Sequence, residues 1–574
     1  MIIASIDWII ISSYLIVMLG IGIWASRSNR NSTDFFLASR NMPWFLLGIS
    51  MVATTFAADT PNLVTNIVRE TGVSGNWAWW AFLLSGMLTV FIYAPLWRRS
   101  DLMTDIEFYE IRYSGKAAAF LRGFRALYLG LFFNVMIMAV VCLAAIKMAG
   151  ILLNLSPEQT ILIAGSITVI YSMFGGLRGV ILTDVIQFTL AIAGAILAAY
   201  YAIRHPLIGS LDGLFTHPNV STKIALIPDF SNLELAVSIF VIPLLVQWWS
   251  VWYPGSEPGG GGYIAQRMFA AKNESGALKA VFLFNIAHYA LRPWPWIIVA
   301  LASLVVFPNL DALSTAFPGQ KGLVDNDLAY PAMLSLLPSG VLGLVTASLI
   351  AAFMSTLSTH LNWGASYITN DFYKRFIRID ASENELLWVG RLSTLLLMVL
   401  AMLVALRLES ALDGFQILLQ IGAGTGLLFL LRWFWFKINA AAEITAMVAS
   451  FLVAVLFNWG LPLTDIKLSA GIQLMIGIGI TTICWVATAY LTPATDAQVI
   501  RCFKEQTRIK QINVKKAMWR ALLGTVMIYA TLFGTGYYLY SDYAAAIIAL
   551  LTAFASGYLL YHISQNNQIL SEKN

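Results

Sequence analysis

Charge is scarce in this sequence. Asp, Glu, Lys and Arg make up 11% of its 574 residues, against roughly 25% in a soluble domain. Long polar stretches are missing too. The longest run roughly over 204–232, 308–330 and 492–518, too short for a separate soluble domain. No attached kinase, nuclease or hydrolase module is expected. There are 3 cysteines, Cys142, Cys484 and Cys502, with no disulfide framework and no Cys/His metal spacing. The 5 histidines are scattered and form no HExxH pattern. No transition-metal site, enzymatic centre, nucleic-acid partner or obligate protein partner is expected. The N-terminus lacks the basic segment and small-residue cleavage site of a signal peptide, so its apolar run is taken as a first helix.

What the chain does have is hydrophobic length. Hydrophobic residues make up 59% and the mean hydropathy is +0.75. A membrane-spanning helix needs about 20 mostly apolar residues. On that criterion about fifteen spans are predicted, centred near residues 15, 54, 86, 137, 165, 191, 243, 293, 346, 397, 422, 450, 479, 529 and 552. The expectation is an all-α integral membrane protein forming one domain over 1–574. Its multi-pass placement is in a cell membrane, and the short loops favour a bacterial inner membrane. Lys and Arg concentrate in alternate loops: Arg27, Arg30 and Arg40; Arg98, Arg99, Arg112 and Lys116; Arg267, Lys272 and Lys279; Lys374, Arg375 and Arg378; and six between Arg501 and Lys516. Cytoplasmic loops are enriched in these residues, which puts the N-terminus outside and the C-terminus in the cytoplasm.

Two spans are interrupted. The second, LLGISMVATTFAADTPNLVTNIV, carries Thr54, Thr55, Asp59, Thr60, Pro61 and Asn62 in its middle. Pro61 removes a backbone donor and clashes with the preceding turn. An acid at that depth costs about 2.5–3.5 kcal/mol on the insertion scale. Asp59 therefore marks a site, or caps the half-helix that starts at Pro61, or does both. The seventh span dissolves at PGSEPGGGG into Pro254, Gly255, Pro258 and Gly259–Gly262, where glycine's backbone entropy opposes a regular helix. It is either a second broken span or an ordinary helix followed by a cytoplasmic loop. Counted from the second to the seventh span, the two breaks are separated as two inverted five-helix repeats require.

The segment AAFMSTLSTH packs Ser355, Thr356, Ser358 and Thr359 into five positions beside His360. Ser355, Ser358 and Thr359 share one helix face. Neutral hydroxyl oxygens, with carbonyls of a broken helix, suit a monovalent cation such as Na⁺. The competing account is hydroxyls bonding back to the preceding turn or joining helices. Asp184 and Gln187 lie within another apolar helix. Asp184 is a functional candidate, sharing a cation with Ser358 and Thr359, or it pairs with Arg178 at the same membrane edge. His360 is expected to hydrogen-bond within the bundle.

Four stretches, DFFLASRNMPWFLLGISMVATTFAAD (34–59), GGLRGVILTDVIQ (175–187), YIAQRMFAAKNESGALKA (263–280) and AAFMSTLSTHLNWGASYITNDFYK (351–374), together resemble the sodium/solute symporter family. That family includes sodium-coupled carriers of sugars, proline, pantothenate and sialic acid. The resemblance implies a core of two inverted five-helix repeats over about 42–440. One extra N-terminal helix precedes it, and peripheral C-terminal helices follow over 441–574. It implies a first sodium site at Ala53, Phe56, Ala352, Ser355 and Thr356. A second would use Asp184, Ser355, Ser358 and Thr359. For the solute it points to Thr60 and Trp79, and to His288 where sugar carriers have Lys. Trp79 stands where they have a carboxylate, so the sugar pocket is not reproduced. Gln416 and Gln420 fall on a helix that borders the solute in the family.

Asp59 and Glu257 are further solute candidates, although Glu257 can equally face cytoplasmic water. Trp248, Trp249, Trp252 and Tyr253 form an aromatic wall or gate, or an interfacial belt. The expected function is Na⁺-coupled symport of a small polar organic solute, such as a sugar, by alternating access. A solute sensor or a sodium leak channel of the same fold is the alternative.

Overall fold

Backbone groups in a bilayer must be satisfied within their own segment, and helices do this here. The computed structural model describes residues 3–26, 31–251, 257–319, 324–408, 422, 424–461 and 468–571. Among them the one extended pairing is an isolated bridge between Met42 and Ala271. Among the described residues, eleven helices are long and apolar enough to cross a membrane. The elements that position the site are α1 (Ser5–Ser26), the half-helices α2 (Trp44–Thr55) and α3 (Asp59–Thr71), α4 (Val73–Ser100) and α5 (Gly115–Leu152). Then come α6 (Pro157–Ile203), α7 (Leu233–Trp249), α8 (Gly262–Ala270), α9 (Glu274–Val306), α10 (Val341–Ile377) and α11 (Glu383–Ala405). Beyond them, Ala440–Asn458, Gly471–Leu491, Val514–Leu539 and Tyr543–Gln565 are four more spans.

The eleven fall short of the expected fifteen for local reasons. The second and seventh spans are split into short helices. The eleventh lies mostly in 409–421, outside the described residues. The fifth is the first limb of α6. Tyr171 donates to the Met354 carbonyl at 2.8 Å, while Asp184 accepts from Ser355. Thirteen residues of straight helix span about 20 Å, so two contacts with adjacent residues require a reversal. It occurs at Gly176, whose φ of 57° is one that glycine adopts without penalty. α6 is thus a helical hairpin.

The second break falls at Phe56–Ala58, between α2 and α3. The seventh span breaks as well. Gly259, Gly260 and Gly262 take φ of 85°, 94° and 51°, and all of α8 beyond them is buried. Pro258 and Gly259–Gly262 are themselves buried, so PGGGG is an interruption and not a surface connection. α10 is the central strut, buried along most of its length. Its N-terminal amides are met by α1: Asp7 Oδ1 accepts from Gly340 N at 2.6 Å and Gly343 N at 2.7 Å. A Cβ on Gly343 would lie 2.5 Å from the Asp7 Cα, so only glycine permits this approach.

One end of the bundle, here called the basic face, carries a cluster of arginines paired with acids. Arg122 meets Glu107 at 3.0 Å, Glu110 at 2.6 Å and Asp371 at 2.7 Å, and Arg375 meets Glu110 at 2.9 Å. These pairs tie the start of α5 to the end of α10 and close that face.

Candidate functional site

Breaking a helix leaves carbonyls without intrahelical partners at one end and amides at the other. At the end of α2 the Phe56 amide folds back onto the Val52 and Ala53 carbonyls at 2.9 and 3.1 Å. The Thr54 carbonyl accepts from the Thr356 hydroxyl of α10 at 2.8 Å. The Thr55 carbonyl accepts from the Arg292 guanidinium. A cation at a helix C-terminus complements the macrodipole, as does an acid in the first turn of the next helix; Arg292 and Asp59 take these two places. Asp59 does not cap α3, however. Ala58 holds the N-cap and no side-chain bond closes it, because α3 starts two residues before Pro61.

All four hydroxyls of α10 are buried, and two of them, Thr356 and Thr359, meet Thr54 at the end of α2. Ser355 Oγ donates to Asp184 Oδ1 at 2.6 Å, and Ser50 Oγ to Asp184 Oδ2 at 2.5 Å. Thr359 Oγ1 lies 2.9 Å from Thr54 Oγ1. Ser358 bonds back to the Ser355 carbonyl at 3.0 Å, the local role weighed from the sequence. Of the first candidate set, Thr356 reaches the Thr54 carbonyl, next to Ala53 and two residues before Phe56, and also bonds the Ala352 carbonyl at 3.1 Å. Of the second set, Ser355 meets Asp184, while Thr359 is reached by Arg267 and Thr54.

The ion-pair partner of Asp184 is Arg267 of α8, with Nη2 at 3.8 Å. Arg267 also donates to Thr359 Oγ1 at 2.7 Å and to Ser50 Oγ at 3.2 Å. The proposed partner Arg178 instead lies over the Trp24 ring at 5.9 Å. Both Asp184 and Arg267 are fully buried, so each charge depends on the other and on this hydroxyl shell. Nothing in the spacing of the sequence joins residues 184 and 267.

A cavity of about 140 Å³ lies directly against the break. Thr356, Thr54 and Thr55 belong to its wall, so the hydroxyl step and the cavity share atoms. Asp59, Thr60, Trp79 and His288 line it as well. α3 turns a polar row toward it: Asp59, Asn62 and Asn66, at i, i+3 and i+7. Asp59 Oδ1, Asn66 Oδ1 and both amide atoms of Asn62 are buried with no hydrogen-bond partner. Such groups cost about 1–3 kcal/mol each when left unpaired, and a polar solute would satisfy them. Trp79 donates to Asn76 Oδ1 at 2.8 Å and stacks on Tyr289, with centroids 6.0 Å apart. His288 Nδ1 is 3.0 Å from Thr55 Oγ1, and its Nε2 is 2.9 Å from Arg292.

Asp327 closes part of the wall and is held by Lys147 at 2.8 and 3.1 Å. Lys147 carried a legible signal, a lone charge inside NVMIMAVVCLAAIKMAGIL. Arg292 and Asn66 were missed with it. His360 is hydrogen-bonded within the bundle, Nδ1 to Asn134 Oδ1 at 2.6 Å, as expected. Trp248 and Trp249 are half-buried and do not line the cavity. Trp252, Tyr253, Gln416 and Gln420 lie outside the described residues. Glu257 sits toward the basic face, paired with Arg125. It borders a small cavity of about 50 Å³ that shares Phe82, His288 and Tyr289 with the larger one.

The sodium:solute symporter family model matches residues 35–450. The sodium/glucose cotransporter of Vibrio parahaemolyticus is 27% identical over 500 residues, covering 83% of this chain and 90% of that one. The human sodium/myo-inositol cotransporter 2 is 26% identical over 483 residues, covering 78% and 69%. A substrate-bound, outward-open Na⁺-coupled sialic acid symporter superposes with a TM-score of 0.69 at 20% identity, covering 86% and 99%. That likeness extends to the fold.

Proposed function

The chain belongs to the sodium:solute symporter family, and from that premise we propose that it imports a sugar-like polar solute together with sodium by alternating access. Sodium is its coupling ion. One observation carries the proposal: the Thr356 hydroxyl bonds across to the α2 break and also forms part of the wall of the polar cavity. A cation held by the Ala53, Phe56 and Ala352 carbonyls and the Ser355 and Thr356 hydroxyls would fix α2 against α10. It would thereby set the positions of Thr54, Thr55 and the first turn of α3, which the solute meets. Coupling is reciprocal, so solute tightens sodium by the same factor. The curated relatives carry glucose and myo-inositol. Asp59, Asn62 and Asn66 offer the mixed donors and acceptors that vicinal hydroxyls pair with, and Trp79 offers an apolar ring face.

The basic face is taken as cytoplasmic by the enrichment of Arg and Lys there, with the N-terminus outside. Release then follows opening of the Arg125–Glu257 closure and of the pairs around Arg122. No step in this cycle requires covalent chemistry. The test is uptake of labelled glucose, myo-inositol and a panel of sugars and amino acids into proteoliposomes. We expect accumulation of at least one solute under an inward sodium gradient and none under an equal potassium gradient. Sodium flux that ignores every solute would make the protein a leak pathway and overturn symport.

A further inference from the structure

A second large cavity, about 170 Å³, lies away from the solute site, between α1, α5, the first limb of α6 and α10. Its lining is almost wholly apolar. Of its polar side chains, Thr160 is spent on the Ser156 carbonyl at 2.9 Å, leaving the Thr346 hydroxyl unpartnered. Apolar cavities of this size stay dry, so water is a poor occupant. Trp8 and Ile163, both in the lining, are 42% and 51% exposed. The exposed apolar side chains of α1, Ile6, Ile9 and Ile16, continue that outer surface. The cavity is thus continuous with the surface that the bilayer covers. Its inner end reaches Ala58 in the break and Phe353 and Met354, the two residues before Ser355.

We propose that this cavity takes one acyl chain of a membrane lipid, entering between α1 and α6, and that the chain braces the sodium-binding step of α10. A hydrocarbon tail leaving hydrocarbon pays no desolvation, and it gains dispersion contacts with walls that otherwise face a void. The bracing follows from Met354. Its carbonyl is held by Tyr171, and its sulfur lies 3.8 Å from Tyr14 Oη, which accepts from Gln187 at 3.2 Å. Pressure on Met354 therefore bears on the turn that presents Ser355 and on the helix that carries Asp184. The bracing half of the proposal rests on the sodium site described above; occupancy does not.

The test uses the purified full chain, stripped of lipid in detergent and titrated with a phosphatidylcholine bearing a diazirine midway along one acyl chain. Photolysis and peptide mass spectrometry locate the adducts. We expect saturable labelling at Ile163–Ile167 and Phe353–Met354, lost in Ala164→Phe and in the milder Ala149→Leu, which fill the cavity from two sides. The same lipid should tighten the sodium-specific melting response of the wild type and leave that of the filled variants unchanged. Labelling spread evenly over the outer surface, or unaltered by both substitutions, would overturn occupancy. Local labelling with an unaltered sodium response would overturn bracing. A wild type with no sodium response at all would instead count against the symport mechanism, whatever the labelling.

Discussion

Asp184→Ala is expected to cost about 3–5 kcal/mol of stability, the penalty for leaving a buried charge without its partner. It should also abolish sodium-stimulated uptake. Arg267 is fully buried and its contacts with Ser50 and Thr359 are neutral; Asp184 supplies the opposing charge. The same carboxylate orients the Ser355 hydroxyl, one of the candidate sodium ligands. Removing it strands the guanidinium and releases Ser355. The double variant Asp184→Asn with Arg267→Met should recover much of the stability while uptake stays low, because the charge pair is then removed together. Melting in detergent and uptake into proteoliposomes separate the two effects. An Asp184→Ala protein that melts with the wild type would mean that Arg267 finds another counter-charge.

Glu257→Ala should open the basic face. Arg125 and Glu257 are both buried and paired there, and Glu257 borders the small cavity beneath His288 and Tyr289. Breaking such a pair costs about 3–5 kcal/mol, and each 1.4 kcal/mol shifts a two-state balance about tenfold. The cost falls on the closed arrangement, so the population open to that face grows. The probe is Ser85→Cys, which lines the small cavity, in a Cys502→Ser background that removes the exposed native thiol. Its reaction with a membrane-impermeant maleimide from the basic side should accelerate at least about tenfold with Glu257→Ala. Glu257→Gln with Arg125→Met, which leaves no unpaired charge, should restore slow labelling if the pair is the latch. Equal rates in all three would place the closure elsewhere.

The parts of this structure that were legible in the sequence are those where a local rule is broken. Pro61 and Asp59 in an apolar run announced the break in the second span, and Gly259–Gly262 announced the one in the seventh. Four hydroxyls in five positions announced a polar step on α10. What stayed hidden are pairings between distant segments. For Asp184 the sequence offers Arg178 at the same membrane edge or a shared cation, yet Arg178 lies over Trp24 of α1 and the ion-pair partner, Arg267, comes from α8. Arg292 reads as one more basic residue at a helix end until the fold sets it against the broken end of α2. Lys147 was the missed opportunity: a lysine in an apolar helix needs a partner, and Asp327 supplies it. Eleven long helices were found among the described residues against fifteen expected spans, which leaves the full count open. Interrupted spans and a hairpin turned at one glycine do not register as single long helices.

The central claim is that sodium binds between α2 and α10 and thereby shapes the solute cavity. Its most direct test is thermal melting of the purified protein in NaCl against KCl at equal ionic strength, for wild type, Ser355→Ala and Thr356→Ala. A ligand that binds only the folded state raises its stability in proportion to RT ln(1 + [L]/Kd). The account predicts a sodium-specific rise in wild type that grows with concentration and is lost in both variants, whose melting in KCl stays near that of the wild type. Identical melting of wild type in the two salts, or a sodium shift that survives both substitutions, would contradict it.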